Sequence, residues 1–111
     1  MSDADDINAA LEPIRREFVA SLPDRFARFD VLWDKITAGT ASHDDLVELR
    51  RGIHSLTGCG LTFGFPAISA TSRPAEHHLD PIIQAGRMPD ASEQAAFVPL
   101  MQALRSATDG L

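Results

Sequence analysis

The spacing of apolar residues in the middle of this chain constrains its fold more than any other feature of the sequence. At about 100° of rotation per residue, one set of side chains falls on a single narrow stripe. The set comprises Leu46, Leu49, Ile53, Leu56, Gly60 and Phe63. No stretch of the chain shows the apolar–polar alternation of a half-buried strand or a hairpin signal. The sequence therefore predicts an all-α protein.

Capping and breaking residues divide the first half of the chain into two helices. The apolar rhythm of the first consists of Ile14, Phe18, Leu22, Phe26, Phe29, Trp33 and Ile36. Gly39 is expected to end this helix, and Pro23 predicts either a kink or two abutting helices. Ser42 and Asp45 form a capping-box pattern that begins the second helix, which should run to about Thr62.

The second half predicts two further helices and one longer loop. Gly64 ends the second helix, and the inward stripe of the third comprises Phe65, Ile68, Ser72, Ala75, Leu79 and Ile82. Pro74 is expected to kink the third helix and Pro81 to mark its last turn. Residues 80–90 are expected to form a loop, after which Ser92 caps a helix. The inward residues of that last helix are Phe97, Leu100, Met101 and Leu104.

Chain length and loop length together define the expected architecture. A chain of 111 residues forms one domain, and four helices joined by short loops favour an antiparallel up-down four-helix bundle. We expect residues 13–108 to form this bundle and residues 1–12 to form a short N-terminal helical extension.

Composition excludes several classes of function. The net charge of −6 argues against binding to nucleic acid or to an anionic membrane surface. No apolar stretch approaches the 18 residues of a membrane span, and the acidic N-terminus does not resemble a signal peptide. The single cysteine, Cys59, rules out an internal disulfide and fits a reducing compartment. We expect a small cytoplasmic protein.

His54 is the residue that best fits a chemical role. It points about 130° away from the centre of the buried stripe, so packing does not require its ring. Its neighbours one turn away are Arg50, Arg51, Thr57 and Gly58. Imidazole is nucleophilic and largely neutral near pH 7, and two cations beside it would offset added negative charge. On these grounds alone, His54 fits better as an ordinary surface histidine without a chemical role.

The segment from His54 to Gly58 resembles the motif of histidine-containing phosphotransfer (Hpt) domains. That motif is His, any residue, Leu, Lys and Gly, with a second Gly six residues later; here these positions hold His54, Leu56, Thr57, Gly58 and Gly64. The flanking runs 49–51 and 63–68, and the upstream run 18–25, also resemble the family. The resemblance covers about residues 13–108, and Thr57 departs from it because the family has lysine there.

The resemblance implies a phosphoryl carrier of bacterial two-component signalling. His54 would accept a phosphoryl group from a receiver-domain aspartate and pass it to another response regulator, and a hybrid sensor kinase would stand upstream. The partner would bring its own Mg²⁺, so no cofactor is expected on this chain. Because no Gly-rich ATP-binding loop is present, autonomous kinase activity is not expected. The alternative, suggested by Thr57, is a non-catalytic module that docks a receiver or kinase without relaying phosphate.

The remaining expectations concern the surroundings of His54 and possible metal sites. Arg50, Arg51 and Thr57 are expected to stabilise the phosphoryl group. The residues expected to form the docking surface are Val47, Arg51, Gly58 and Leu61. His77 and His78 point about 100° apart on a helix, which argues against a shared metal site and indicates a solvated face. We expect no metal site, and a monomer.

Overall fold

The computed structural model describes residues 3–111, and 4 helices account for its regular structure. They are α1 (Asp3–Thr37), α2 (His43–Phe63), α3 (Pro66–Gln84) and α4 (Ala91–Ala107). No strand occurs among the described residues. The prediction of an all-α protein is confirmed. Residues 3–12 of the expected extension are helical and continue directly into the bundle, whereas residues 1 and 2 lie outside the described part of the chain.

Side-chain contacts show that neighbouring helices run antiparallel. Contacts from α1 to α2 and from α2 to α3 include the pairs Lys35–Asp45, Arg28–Glu48, Arg50–Asp80 and Thr57–Ser72. In each pair of helices, later residues of one contact earlier residues of the next. Helix α4 returns along α1, where Arg105 pairs with Asp30 and the ring centroids of Trp33 and Phe97 lie 4.7 Å apart. The chain is the up-down four-helix bundle that the sequence predicts.

Helix α1 is longer than the bundle that it supports. Its 35 residues span about 52 Å, which accounts for the 55 Å length of a molecule only 22 Å across. The protruding part leaves Ile7 59% and Ile14 45% exposed. The prediction that Ile14 lies in the buried stripe is therefore wrong: α2 ends beside this turn, where Arg15 donates to the Phe63 carbonyl, and it leaves the Ile14 side chain uncovered.

Pro23 does not divide α1 into two helices, which corrects one of the two alternatives predicted there. The helix is continuous from Asp3 to Thr37 and contains both Pro13 and Pro23. The Pro23 side is exposed, so water can satisfy the carbonyl that loses its backbone donor. The core-facing turns on either side remain buried at Phe18, Leu22 and Phe26.

The caps of α2 are those predicted from the sequence, whereas the start of α4 differs. Ser42 and Asp45 make both capping-box hydrogen bonds, and Gly64 ends α2 in the left-handed region with φ of 81°. Helix α4 begins at an Asp90 cap rather than at Ser92, because Glu93 completes a capping box with Asp90. Helix α3 runs to Gln84, so the predicted loop is shorter, residues 85–90.

Helices α2 and α3 approach each other most closely at Gly60. A Cβ atom there would lie 2.7 Å from Ser69 Oγ, 2.8 Å from Ser69 N and 2.9 Å from Phe65 O. Only glycine permits this approach, which brings the backbone of α2 against the first turn of α3. The Ser69 hydroxyl then donates to the Thr57 carbonyl. This contact sets the register of α2 on α3 and therefore decides which α3 side chains face His54.

Candidate functional site

His54 stands on the outer face of α2 with its ring mostly in solvent. Its side chain is 60% exposed, and its Nδ1 atom lies 2.6 Å from Oε1 of Glu76 on α3. No hydrogen-bond partner for Nε2 is found in the part of the chain that the structure describes. The ring is therefore anchored through one nitrogen and open to a partner molecule through the other.

The Glu76 carboxylate decides which nitrogen of His54 is nucleophilic. A carboxylate accepts hydrogen bonds, so Nδ1 carries the proton of the neutral ring and Nε2 keeps its lone pair. The same device fixes the tautomer of metal-binding histidines. The arrangement presents a nucleophilic nitrogen to solvent and holds it at a fixed angle.

Glu76 is a buried charged residue with a full set of partners. It is 5% exposed. Besides His54, Arg50 lies 3.0 Å from Oε1 through Nη2, and Thr57 donates to Oε2 over 3.2 Å. Arg50 also reaches Asp80, with 2.9 Å between Nε and Oδ1. A buried carboxylate is costly unless it is paired and hydrogen-bonded, and these three donors meet that requirement.

Thr57 faces α3 rather than the solvent. It is 7% exposed, and its hydroxyl lies 2.7 Å from the Ser72 hydroxyl as well as within reach of Glu76. A hydroxyl has one proton, so the consistent pattern is donation from Ser72 to Thr57 and from Thr57 to Glu76. Thr57 therefore touches the carboxylate that holds the His54 ring.

The other predicted residues lie on the same outer face of α2. Gly58 has open space around it, since a Cβ there would meet nothing within 4 Å. Leu61 is 62% exposed, Arg51 is exposed and Val47 is half-buried. The face around His54 is thus low at Gly58 and apolar at Leu61. The four residues thus lie on the same face of α2 as His54.

The α3 side of the site was not among the residues predicted from the sequence. Glu76 follows four residues after Ser72, which belongs to the predicted inward stripe, so it lies on the same side of α3. A buried carboxylate needs hydrogen-bond donors, and the facing helix is their nearest source. The position of Glu76 in the sequence therefore indicated a contact with polar residues of α2. The solvated face predicted for His78 is wrong, because its ring stacks on Phe97 and its Nε2 lies 2.9 Å from the Glu93 carbonyl.

Among residues 3–111, no group of three or more His, Cys, Asp or Glu side chains is arranged to hold a metal ion. None of the helices in that range combines the length and apolar character needed to cross a membrane.

Comparison with known proteins identifies the family. A family model described as the Hpt domain matches residues 13–109. No curated protein and no solved structure matches the chain. The family match spans nearly the whole bundle and includes the exposed His54 with its glycines. The chain belongs to the Hpt domain family, the phosphotransfer modules of two-component signalling.

Proposed function

We propose that this protein relays a phosphoryl group through Nε2 of His54, accepting it from a receiver-domain aspartate and passing it to another response regulator. The observation that carries the proposal is the pairing of Nδ1 with Glu76, which leaves Nε2 exposed and nucleophilic. In the accepting step, Nε2 attacks phosphorus and the bond from phosphorus to the aspartate oxygen breaks. The aspartate leaves as a carboxylate, and the second transfer is the same exchange in reverse.

The arginines beside His54 are proposed to act in different ways. Arg50 is 34% exposed in its side chain and engages Glu76 and Asp80, so it supports the ring through the carboxylate. Arg51 is exposed on the outer face of α2 and can approach the phosphoryl oxygens directly. Thr57 is placed to act through Glu76. The phosphoryl stabilisation expected from all three residues therefore divides into one direct and two indirect contributions.

The partners proposed are receiver domains and a hybrid sensor kinase, acting in the cytoplasm. Hpt domains interact with receiver domains and kinases in phosphorelays. The surface formed by Val47, Arg51, Gly58 and Leu61 is proposed to dock them, with an apolar contact at Leu61 and close approach over Gly58. The receiver would supply Mg²⁺ and its acidic residues, so a monomer of this chain needs only to present the imidazole.

The relay is tested by incubation with a receiver domain that carries a radiolabelled aspartyl phosphate. Labelled wild-type protein, with the label acid-labile and base-stable, is the expected result. His54→Gln should take up no label, whereas His77→Gln, which changes another exposed histidine, should behave as wild type. Binding of the receiver without any label on the wild type would instead support the non-catalytic docking module.

The docking surface is tested with a matched pair of charge insertions. Gly58→Glu puts bulk and negative charge one turn from His54, where space is open, so transfer should fall at least tenfold without a lower melting temperature. Ala103→Glu makes a similar change at an exposed site on α4 and should leave transfer unchanged. Equal transfer by both variants would place the docking surface elsewhere.

A further inference from the structure

Charges beside the His54 ring do not balance. The carboxylates of Glu76 and Asp80 share a single guanidinium, that of Arg50, which contacts both. These three groups leave one net negative charge against Nδ1 of the ring. Glu76 is almost completely buried, so water screens its charge only weakly. The uncompensated negative charge therefore lies on the Nδ1 side of the ring.

We infer, on the basis of the proposed relay, that Glu76 is a positioning residue that keeps the proton on Nδ1 after phosphorylation and so sets the lifetime of the phosphohistidine. A ring with phosphorus on Nε2 and hydrogen on Nδ1 is an imidazolium. When the N–P bond breaks, its electron pair stays on Nε2 and a neutral imidazole leaves. Without the Nδ1 proton, the leaving group would be an imidazolate anion, which is far less stable. Glu76 therefore keeps the phosphoryl group ready for transfer.

Thr57 and Ser72 restrict how the carboxylate can be used. Thr57 donates to Oε2 and is itself supported by Ser72 at 2.7 Å, so Oε1 is the oxygen left for the ring and Arg50. Rotation of the carboxylate away from His54 would break the bonds to both Thr57 and Arg50. The position at which the family has lysine thus holds, in this chain, a hydroxyl that orients Glu76.

Charged groups lie on both sides of the His54 ring. Arg50 of α2 and the carboxylates of Glu76 and Asp80 of α3 lie on the Nδ1 side. Arg51 of α2 is exposed, and Arg25 of α1 donates to Ser55, the residue after His54, at 3.2 Å. Arg25 and Arg51 lie on the α1 side of His54, away from Nδ1. Their positive charge would attract the phosphoryl oxygens, whereas Glu76 acts on the ring proton.

The experiment phosphorylates the purified protein with phosphoramidate, a small-molecule donor that needs no receiver. After removal of the donor, ³¹P NMR follows the loss of phosphohistidine between about pH 5 and 10. In hydrolysis, water attacks phosphorus, the N–P bond breaks and inorganic phosphate leaves. Glu76→Gln removes the charge but keeps an oxygen that can accept from Nδ1. We expect its hydrolysis to slow at a pH about one unit lower than in wild type, giving an about tenfold longer lifetime at pH 8.

Two further variants keep the inference open to refutation if Glu76→Gln folds poorly. Asp80→Asn, at a side chain 31% exposed, releases Arg50 to neutralise Glu76 and should shift the profile in the same direction by a smaller amount. Thr62→Val, at an exposed position of α2, should leave it unchanged. Identical pH profiles for wild type and Asp80→Asn, or phosphorus found on Nδ1, would overturn the inference.

The relay and this inference fail in different ways. If the relay is wrong, phosphoramidate still labels His54, but a phosphorylated receiver transfers nothing to it. If the inference is wrong, the receiver transfers normally and the lifetime of the phosphohistidine does not depend on the charge of Glu76. A structural role for Glu76 alone would lower the melting temperature without moving the pH profile.

Discussion

Replacing Thr57 with valine tests whether the buried hydroxyl holds the site together. Valine has nearly the same shape as threonine, so the change removes the hydroxyl without opening a cavity. The hydroxyl bridges Ser72, at 2.7 Å, and Oε2 of Glu76, at 3.2 Å. Both partners are buried, so water cannot readily replace the lost bonds. We expect a clear loss of folding free energy.

The magnitude follows from which groups lose a partner. Ser72 can turn toward the Ser69 carbonyl, 3.3 Å away, and so keeps an acceptor. Glu76 loses its bond at Oε2, and a hydrogen bond to a charged group is worth about 1.5–3 kcal/mol. We therefore expect Thr57→Val to lower the free energy of unfolding by about 2 kcal/mol. In a domain of this size, that corresponds to a melting temperature lower by about 8 °C.

Urea denaturation followed by circular dichroism provides the measurement. Thr62→Val is the matched control, because Thr62 lies on the same helix, is exposed and should change stability by less than about 0.5 kcal/mol. Equal stability of the two variants would refute the assignment of the hydroxyl to the Glu76 network. If Thr57→Val lowers the free energy of unfolding but leaves the NMR signals of the His54 ring unchanged, the Thr57 hydroxyl stabilises the fold without positioning the His54 ring.

Two further predictions address packing and pH. Gly60→Ala should lower the free energy of unfolding by about 2 kcal/mol or more, because its Cβ would meet backbone atoms of the facing segment. Gly58→Ala should be neutral or raise it by up to about 1 kcal/mol, because a Cβ there meets nothing. Urea denaturation of the two variants measures this difference. A hydrogen bond from Arg87, followed by one from the Asp90 backbone, lowers the pKa of Glu93 from 4.5 to about 2. The depressed pKa means that this stabilisation is present above pH 4.5 and is lost as pH falls toward 2, so Glu93→Gln should flatten the acid limb of the stability curve, and an unchanged limb would contradict the assignment.

Local signals in the sequence predicted most of the fold. The capping box at Ser42 and the left-handed Gly64 each depend on a few neighbouring residues, so the sequence alone locates both ends of α2. Asp90 followed by Glu93 is also a capping-box pattern, and the prediction that Ser92 caps α4 did not take it into account. Each of these caps depends on residues within about four positions of one another, so the helix ends can be predicted without knowing how the helices pack.

The core residue Leu32 was missed for a different reason. A single stripe assumes that a helix packs against one partner, whereas α1 packs against α2 and also against α4. Trp33 meets Phe97 of α4 and stays partly exposed, while Leu32 is 1% exposed. A helix between two neighbours buries a face wider than one stripe. The sequence does not show which helices become neighbours, so it does not show the second stripe.

The candidate site divides between what one helix shows and what two helices make together. His54, Arg50 and Gly58 share a face of α2, so their proximity follows from helical geometry alone. Glu76 joins them only because Gly60 lets α3 approach closely and the Ser69 bond fixes the register. A shift of α3 by one residue would turn this carboxylate about 100° away from the imidazole.

The absence of lysine at position 57 is best understood from the Glu76 side. An ammonium group at Thr57 would lie beside a carboxylate that already holds Arg50 at 3.0 Å, and it would displace the hydroxyl that meets Ser72. Arg50 enters from one turn before His54 and stays partly exposed, so it brings positive charge to Glu76 from the edge of the α2–α3 interface. Threonine then suits a buried position with two polar neighbours better than a long cation does, since burial penalises an unneeded charge. Because Arg50 balances Glu76 only partly, owing to Asp80, the remaining negative charge acts on the imidazole ring. With threonine at position 57, no lysine charge offsets Glu76, so the Glu76 carboxylate is the group that holds Nδ1 of His54.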